Sequence, residues 1–214
     1  MSDSKPLRLT AFASGRGSNL LAIMKNIDAG LLNAKVVGVI SNNSKSGALQ
    51  AARERSIPGF HISRLHFVSD QDYERHILNV LDELRTDLVI LAGYMKIVPE
   101  SVVRAYKNRM LNIHPALLPA FGGQGLYGEN VHKAVLDYGC KVSGVTVHLV
   151  DAEYDTGAPV MQRCVPVLDD DTPQTLAARI LEEEHRIYTD AIRLFADGRI
   201  EIKGRRVRVL PEHC

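Results

Sequence analysis

The chain has 214 residues, of which 45% are hydrophobic and 24% charged, proportions that exclude a disordered or membrane-embedded polypeptide and allow one substantial core. A formal net charge of +1 excludes the basic field that nucleic-acid binding needs. Cys140, Cys164 and Cys214 are odd in number and show no metal-ligand spacing, so no metal site is expected and the thiols read as reduced, in a cytoplasmic protein.

The polar opening Met1-Ser2-Asp3-Ser4-Lys5-Pro6 lacks the apolar stretch of a signal peptide. Leu7 to Ala13 then reads as a buried strand, followed by the turn Ser14-Gly15-Arg16-Gly17-Ser18-Asn19 and by the helical apolar spacing of Leu20, Leu21, Ile23, Met24 and Ile27. Val36 to Ser41 is a second strand, Ser46 to Ser56 a helix and Gly59 to Ile62 a short strand. Ser69 caps the next helix, whose stripe is Tyr73, Ile77, Val80, Leu81 and Leu84, and Asp87 to Ala92 is a strand buried on both faces. Such alternation predicts a doubly wound α/β fold, mostly parallel, with helices on both faces.

Met110 to Ile113 reads as another strand, and Ala116 to Glu129 as a long loop of the kind that often carries function. After a helix from Val131 to Tyr138, the strands Ser143 to Val150 and Val160 to Val167 are joined closely enough to be antiparallel neighbours. Thr172 and Pro173 open a long last helix as cap and first helical residue. A polar hairpin around Lys203-Gly204-Arg205 ends the chain, its basic run Lys203 to Arg208 reading as a solvated tip. No segment approaches the roughly 20 apolar residues that a membrane helix requires.

Four features carry chemistry. Gly15 and Gly17 let backbone amides approach a ligand, and the helix beginning near Ser18 adds unpaired donors and partial positive charge, which suits a phosphate. The turn lacks both the third glycine of a dinucleotide fingerprint and the lysine of a triphosphate loop. Asn112 and His114, two apart on a strand and followed by Pro115, share a face at the carboxyl end of a parallel sheet, where ligands gather. Asp155, in a glycine-containing bend, can pair with His114 and is expected to raise its pKa by favouring the charged ring. The imidazolium and Asn112 would then donate to an oxygen gaining negative charge, with no serine or cysteine nucleophile beside them. Glu184 interrupts the apolar face Leu176, Ile180, Ile187, Ala191 and Leu194, where a polar ligand or an edge position would account for it. His148 is left open between core residue and partner of the same centre, and His61, His66 and His132 receive no role.

Five segments, in order, resemble the glycinamide ribonucleotide formyltransferase family: the Ser14 to Asn19 turn, Leu91-Ala92-Gly93-Tyr94-Met95-Lys96-Ile97, Leu111-Asn112-Ile113-His114-Pro115-Ala116-Leu117-Leu118-Pro119, Gly144 to Gly157, and Glu184-His185 with Ile187-Tyr188. The resemblance implies direct attack by the substrate amine on the formyl carbon of 10-formyltetrahydrofolate, a cosubstrate. It implies that His114 donates the proton, Asn112 holds the formyl oxygen and Asp155 assists proton removal from the amine. Gly17, Ser18 and Asn19 would hold the ribonucleotide phosphate and Glu184 the same substrate. Met95, Lys96, Ile97 and Val98, with Asn112 and the backbone of Asp151, Ala152, Glu153, Tyr154 and Asp155, would line the folate site.

The expected organisation is one formyltransferase domain over residues 1–214, with 1–110 as the phosphate and nucleotide half and 111–214 as the catalytic and folate half. The partners are small molecules rather than nucleic acid or membrane, and a homodimer is left open. The loop Ala120-Phe121-Gly122-Gly123-Gln124-Gly125 departs from the family's Pro-Gly step, which leaves its contacts unassigned. A formyltetrahydrofolate hydrolase is the first rival reading, and a formyltransferase acting on methionyl-tRNA is another. Each is expected to carry a further domain that this chain lacks. A catalytically silent Rossmann-like binding module would need no acid-base centre.

Overall fold

The computed structural model describes residues 5–212, so Met1, Ser2, Asp3, Ser4, His213 and Cys214 lie outside the described residues. Within them the elements run β1 (Leu7–Phe12), α1 (Ser18–Asp28), β2 (Ala34–Ser41), α2 (Gly47–Glu54), β3 (Gly59–His61), α3 (Asp70–Glu83), β4 (Leu88–Leu91), α4 (Glu100–Ala105), β5 (Met110–His114), α5 (Glu129–Tyr138), β6 (Val142–Leu149), β7 (Pro159–Pro166), α6 (Pro173–Ala196), β8 (Ile200–Lys203) and β9 (Arg206–Val209). The architecture is α/β, with a mostly parallel sheet flanked by helices and a separate antiparallel β8-β9 pair. Two compact units divide within β5, after Leu111.

In the first unit the strand order is β3-β2-β1-β4 before β5 begins, and β1 pairs in parallel with both β2 and β4. The chain winds outward from β1 through β2 and β3, then returns to build β4 on the other side. The winding therefore reverses between β1 and β4, and the carboxyl ends of adjacent strands there lead into diverging connections, which leaves a crevice suited to ligands. Leu9, Ala11 and Phe12 of β1 and Val89 and Ile90 of β4 are fully buried, the signature of strands covered on both faces. Thr10 is equally buried and satisfies its hydroxyl against that of Thr86 at 2.7 Å, beside the register shift between Leu9 and Thr10.

Local chemistry sets the helix starts. Ser46 caps α2 and Ser69 caps α3, each accepting from a backbone N–H three residues on. α3 buries Tyr73, Ile77, Val80 and Leu81, as its spacing predicts, with Leu84 half-buried at its end. α4 and the short 3-10 turn Arg64–His66 escape the sequence reading, because each is too brief to show a period.

The second unit holds the rest of β5, then β6 and β7, which pair antiparallel from Val142 opposite Pro166 to His148 opposite Pro159. Thr172 caps α6 through a reciprocal bond with Thr175, and α6 buries Leu176, Ile180, Ile187, Tyr188, Ala191 and Ile192. In the β8-β9 hairpin Glu201 pairs with Lys203 at 2.8 Å and with Arg208 at 3.9 Å, which accounts for the basic run as a solvated ribbon. Cys140 and Cys164 are free thiols.

Gly157 allows the bend after residue 155 to close against the end of β6. A Cβ there would overlap the Leu149 carbonyl and approach His148 Nδ1 to 3.4 Å. We expect Gly157→Ala to destabilise the fold by about 3 kcal/mol or more, since backbone rather than a flexible side chain must yield. A chemical denaturation midpoint equal to that of the unaltered protein would refute this packing.

Candidate active site

Asp155 occupies the middle of a polar cluster built wholly within the second unit. Its backbone is left-handed, with φ of 56°, a conformation that costs a non-glycine residue roughly 1–3 kcal/mol. Side-chain bonds offset that strain. Oδ2 accepts from Gly123 N–H at 3.0 Å and lies 3.4 Å from His114 Nδ1. Oδ1 lies 3.4 Å from Asn112 Nδ2 and 3.5 Å from His148 Nε2. The strand β5 presents Asn112 and His114 to the same carboxylate, as their spacing requires.

Hydrogen-bond inventory assigns the protons. Leu149 O can only accept, so the 2.8 Å contact makes His148 Nδ1 the protonated nitrogen. In the neutral ring Nε2 is then an acceptor, and it takes an N–H from Asn112 Nδ2 at 3.0 Å. One carboxamide N–H is thereby committed and the second is directed, at 3.4 Å, toward Asp155. His114 Nε2 donates to the Phe121 carbonyl at 2.8 Å, which turns Nδ1 toward Asp155. Phe121 is itself left-handed, with φ of 54°, and its ring packs edge-on against Tyr138 of α5.

The expected rise in the His114 pKa is overturned. Burial lowers it and outweighs the raising effects of Asp155 and of the bond to Phe121, while His148 lowers it further. For Asp155 burial acts upward, but hydrogen bonding from His148 and the positive charge of His114, each available when the ring is protonated, together with the Gly123 N–H hold its carboxyl below the ordinary value. The resting centre is therefore a neutral imidazole beside a carboxylate. His132, to which the sequence assigned nothing, is buried on α5 and its pKa is lowered first by burial and then by His114.

The other expected site residues fall as follows. In the first unit Gly17 is the left-handed cap of α1, with φ of 77°, and Asn19 is buried in the first turn; no acidic residue occupies that turn to repel an anion. Met95, Lys96 and Ile97 are exposed and Val98 is buried. In the second unit residues 151–154 are exposed and Asp155 is half-buried. Glu184 is half-buried on α6, an edge position rather than an interruption of the core stripe. Missed by the sequence reading are the Phe121 carbonyl and the Gly123 amide, which act through backbone atoms and leave no side-chain signature. Among the described residues no group of three or more His, Cys, Asp or Glu is arranged to hold a metal ion, and no helix is long and apolar enough to cross a membrane.

This geometry, with a carboxamide, an imidazole and a carboxylate but no nucleophilic side chain, is matched by similarity over the whole fold. The formyl transferase family profile matches residues 7–192, and the chain belongs to that family. It is 43% identical over 195 residues to the chloroplastic phosphoribosylglycinamide formyltransferase of Arabidopsis thaliana, covering 91% of this chain and 67% of that one. It is 34% identical over 196 residues to the phosphoribosylglycinamide formyltransferase of Haemophilus influenzae, covering 92% and 90% of the two chains. The crystal structure of glycinamide ribonucleotide transformylase 1 from Symbiobacterium toebii superposes with a TM-score of 0.90 at 42% identity, over 97% of this chain and 95% of that one.

Because the folded His114 pKa is depressed, the unfolded chain takes up this proton first as pH falls through the ordinary imidazole range. Stability is lost there, while the Asp155 contribution is lost only further down, as pH falls from the ordinary carboxylate value through its own lowered pKa. We expect a His114 ring titration followed by NMR to give a midpoint below 6.5, and Asp155→Asn to move it lower still by removing the raising charge. A midpoint above 6.5 in the unaltered protein would contradict the dominance of burial.

Proposed function

We propose that this protein transfers the formyl group of 10-formyltetrahydrofolate to the amine of N1-(5-phospho-D-ribosyl)glycinamide in de novo purine synthesis, and that residues 1–214 act as one formyltransferase domain in the cytoplasm. Residues 1–110 would form its phosphate and nucleotide half, and residues 111–214 its catalytic and folate half. The observation that supports the reading most is the Asp155 carboxylate shared by His114, His148 and Asn112 with no nucleophilic side chain among them. An attacking group must then come from a substrate, which suits direct amine attack. Small molecules, rather than nucleic acid or membrane, are the partners this reading takes.

In the proposed reaction the amine nitrogen forms a bond to the formyl carbon and the carbonyl electron pair moves onto oxygen. The Asn112 N–H not held by His148, which rests 3.4 Å from Asp155 Oδ1, turns to that oxygen and donates to it, a contribution of about 3 kcal/mol to the transition state. The nitrogen that attacked is now positively charged and must lose a proton, while the folate nitrogen must gain one to leave. A neutral His114 suits the first task better than Asp155, whose lowered pKa makes it a weak base. Once charged, the imidazolium is stabilised by Asp155 and supplies the proton as the carbon to folate-nitrogen bond breaks. His114 thus serves as donor at departure, and Asp155 assists removal of the amine proton through it. For Nε2 to take the amine proton, the ring must leave the Phe121 carbonyl and carry its own proton on Nδ1, where Asp155 Oδ2 accepts it.

Gly17, Ser18 and Asn19 are proposed to hold the phosphate at the start of α1, and Glu184 to contact the same ribonucleotide. Met95, Lys96, Ile97 and Val98, together with Asn112 and the backbone of residues 151–155, are proposed to line the folate site.

The deciding assay follows formyl transfer from 10-formyltetrahydrofolate to the ribonucleotide amine, with a control lacking acceptor. Turnover only with acceptor is expected; equal folate cleavage without acceptor would make the protein a hydrolase, and no turnover would make it a binder. His114→Ala and Asp155→Asn should each lower kcat about a hundredfold or more while thermal unfolding remains cooperative. Near-normal turnover by either variant would remove its assigned role. Asn19→Asp, which places negative charge beside the proposed phosphate, should weaken ribonucleotide binding more than folate binding by calorimetry, whereas equal losses would count against the phosphate loop.

A further inference from the structure

Ser14 stands where the winding of the first unit reverses, immediately after β1 and beside the turn that follows β4. Its N–H donates to Gly93 O at 3.0 Å, and its carbonyl accepts from Asn43 Nδ2 at 3.3 Å. The side chain is committed as well. Ser14 Oγ donates to Asn42 Oδ1 at 2.6 Å and accepts from Met95 N–H at 2.8 Å. A hydroxyl has one proton, so the Asn42 oxygen, which only accepts, fixes its direction and turns a lone pair toward Met95.

The segment that receives this bond is anchored at its two ends. Tyr94 packs edge-on against Phe12 with centroids 5.4 Å apart, and its hydroxyl lies 3.4 Å from that of Tyr73. Val98 is buried. Between them Met95 and Ile97 are 50% and 54% exposed, an unusual state for large apolar side chains, and Gly93 takes the left-handed turn that starts the excursion. Such a stretch needs a backbone tether to hold one shape in the absence of core packing.

We propose that Ser14 is a positioning residue for the folate cosubstrate: its hydroxyl, oriented by Asn42, holds the Met95 amide and thereby the conformation of residues 95–98. This rests on the reading of those residues as folate-lining. Ser14 touches neither substrate. Its effect is on how much ordering the segment must undergo when the cosubstrate binds, and hence on affinity rather than on the chemical step.

The test compares the full chain with Ser14→Ala, Ser14→Thr, Asn42→Leu and Ile97→Asp by steady-state kinetics and by calorimetric titration with tetrahydrofolate. Loss of one such hydrogen bond should raise the KM for formyl-folate and the Kd for tetrahydrofolate about five- to tenfold in Ser14→Ala, with kcat and the ribonucleotide KM within about twofold. Ser14→Thr, which keeps the hydroxyl, should restore the original values. Asn42→Leu, which frees the hydroxyl to rotate, should raise the same folate constants and serves if Ser14→Ala does not fold. Unchanged folate constants, or an equal rise for both substrates, would overturn the proposal by showing no role or a general loosening. Ile97→Asp separates the two layers of inference. If it abolishes tetrahydrofolate binding while Ser14→Ala and Asn42→Leu do not weaken it, the Ser14 role falls alone; if it leaves binding intact, the folate assignment falls and takes the Ser14 role with it.

Discussion

The carboxylate of Asp155 governs the chemistry of the second unit. It sits in a left-handed bend that no helix or strand stabilises, and it keeps its charge although burial opposes ionisation. Its position is over-determined by a backbone amide from the loop, by a carboxamide from β5 and by two histidines from β5 and β6. A partly buried anion held by the Gly123 N–H and the Asn112 carboxamide, with two imidazoles beside it, is cheaper to keep than to release, and releasing it would leave those two N–H groups unmatched. The strain at Asp155 and Phe121 persists for that reason.

The same arrangement explains why the histidine rests neutral. A single carboxylate 3.4 Å away would favour the imidazolium, and in an exposed pair it would decide the outcome. Here the ring is 4% exposed, so the cost of burying a charge exceeds what one shared carboxylate returns. Asp155 also divides its negative charge between His114 and His148. A neutral base next to an anion that stabilises its conjugate acid is well matched to passing one proton between two nitrogens. His148 accepts one N–H of Asn112, which orients the amide and directs the other N–H toward Asp155.

In the first unit the organising constraint is the reversal of winding between β1 and β4. Both flanking connections leave the sheet at its carboxyl edge, where backbone amides at the start of α1 and the exposed segment after Gly93 are displayed. Ser14 ties these connections to each other and to the end of β2 through four hydrogen bonds in its backbone and side chain. Rigidity at this point comes from directed bonds, since core packing ends with the strands.

Sequence alone determined the elements whose signal is periodic or capped: the strands buried on both faces, the stripes of α1, α3 and α6, the caps at Ser69 and Thr172, and the antiparallel partnership of β6 with β7. It also singled out Asn112, His114 and Asp155, because side-chain type and spacing carry that information. Tertiary structure decided which loop atoms complete the centre, since the Phe121 carbonyl and the Gly123 amide are present in every peptide and marked in none. It decided the role of His148, which a strand pattern cannot distinguish from a core residue. It reversed the sign of the His114 pKa shift as well, because a charge partner can be read from a motif whereas burial is a property of everything packed around it.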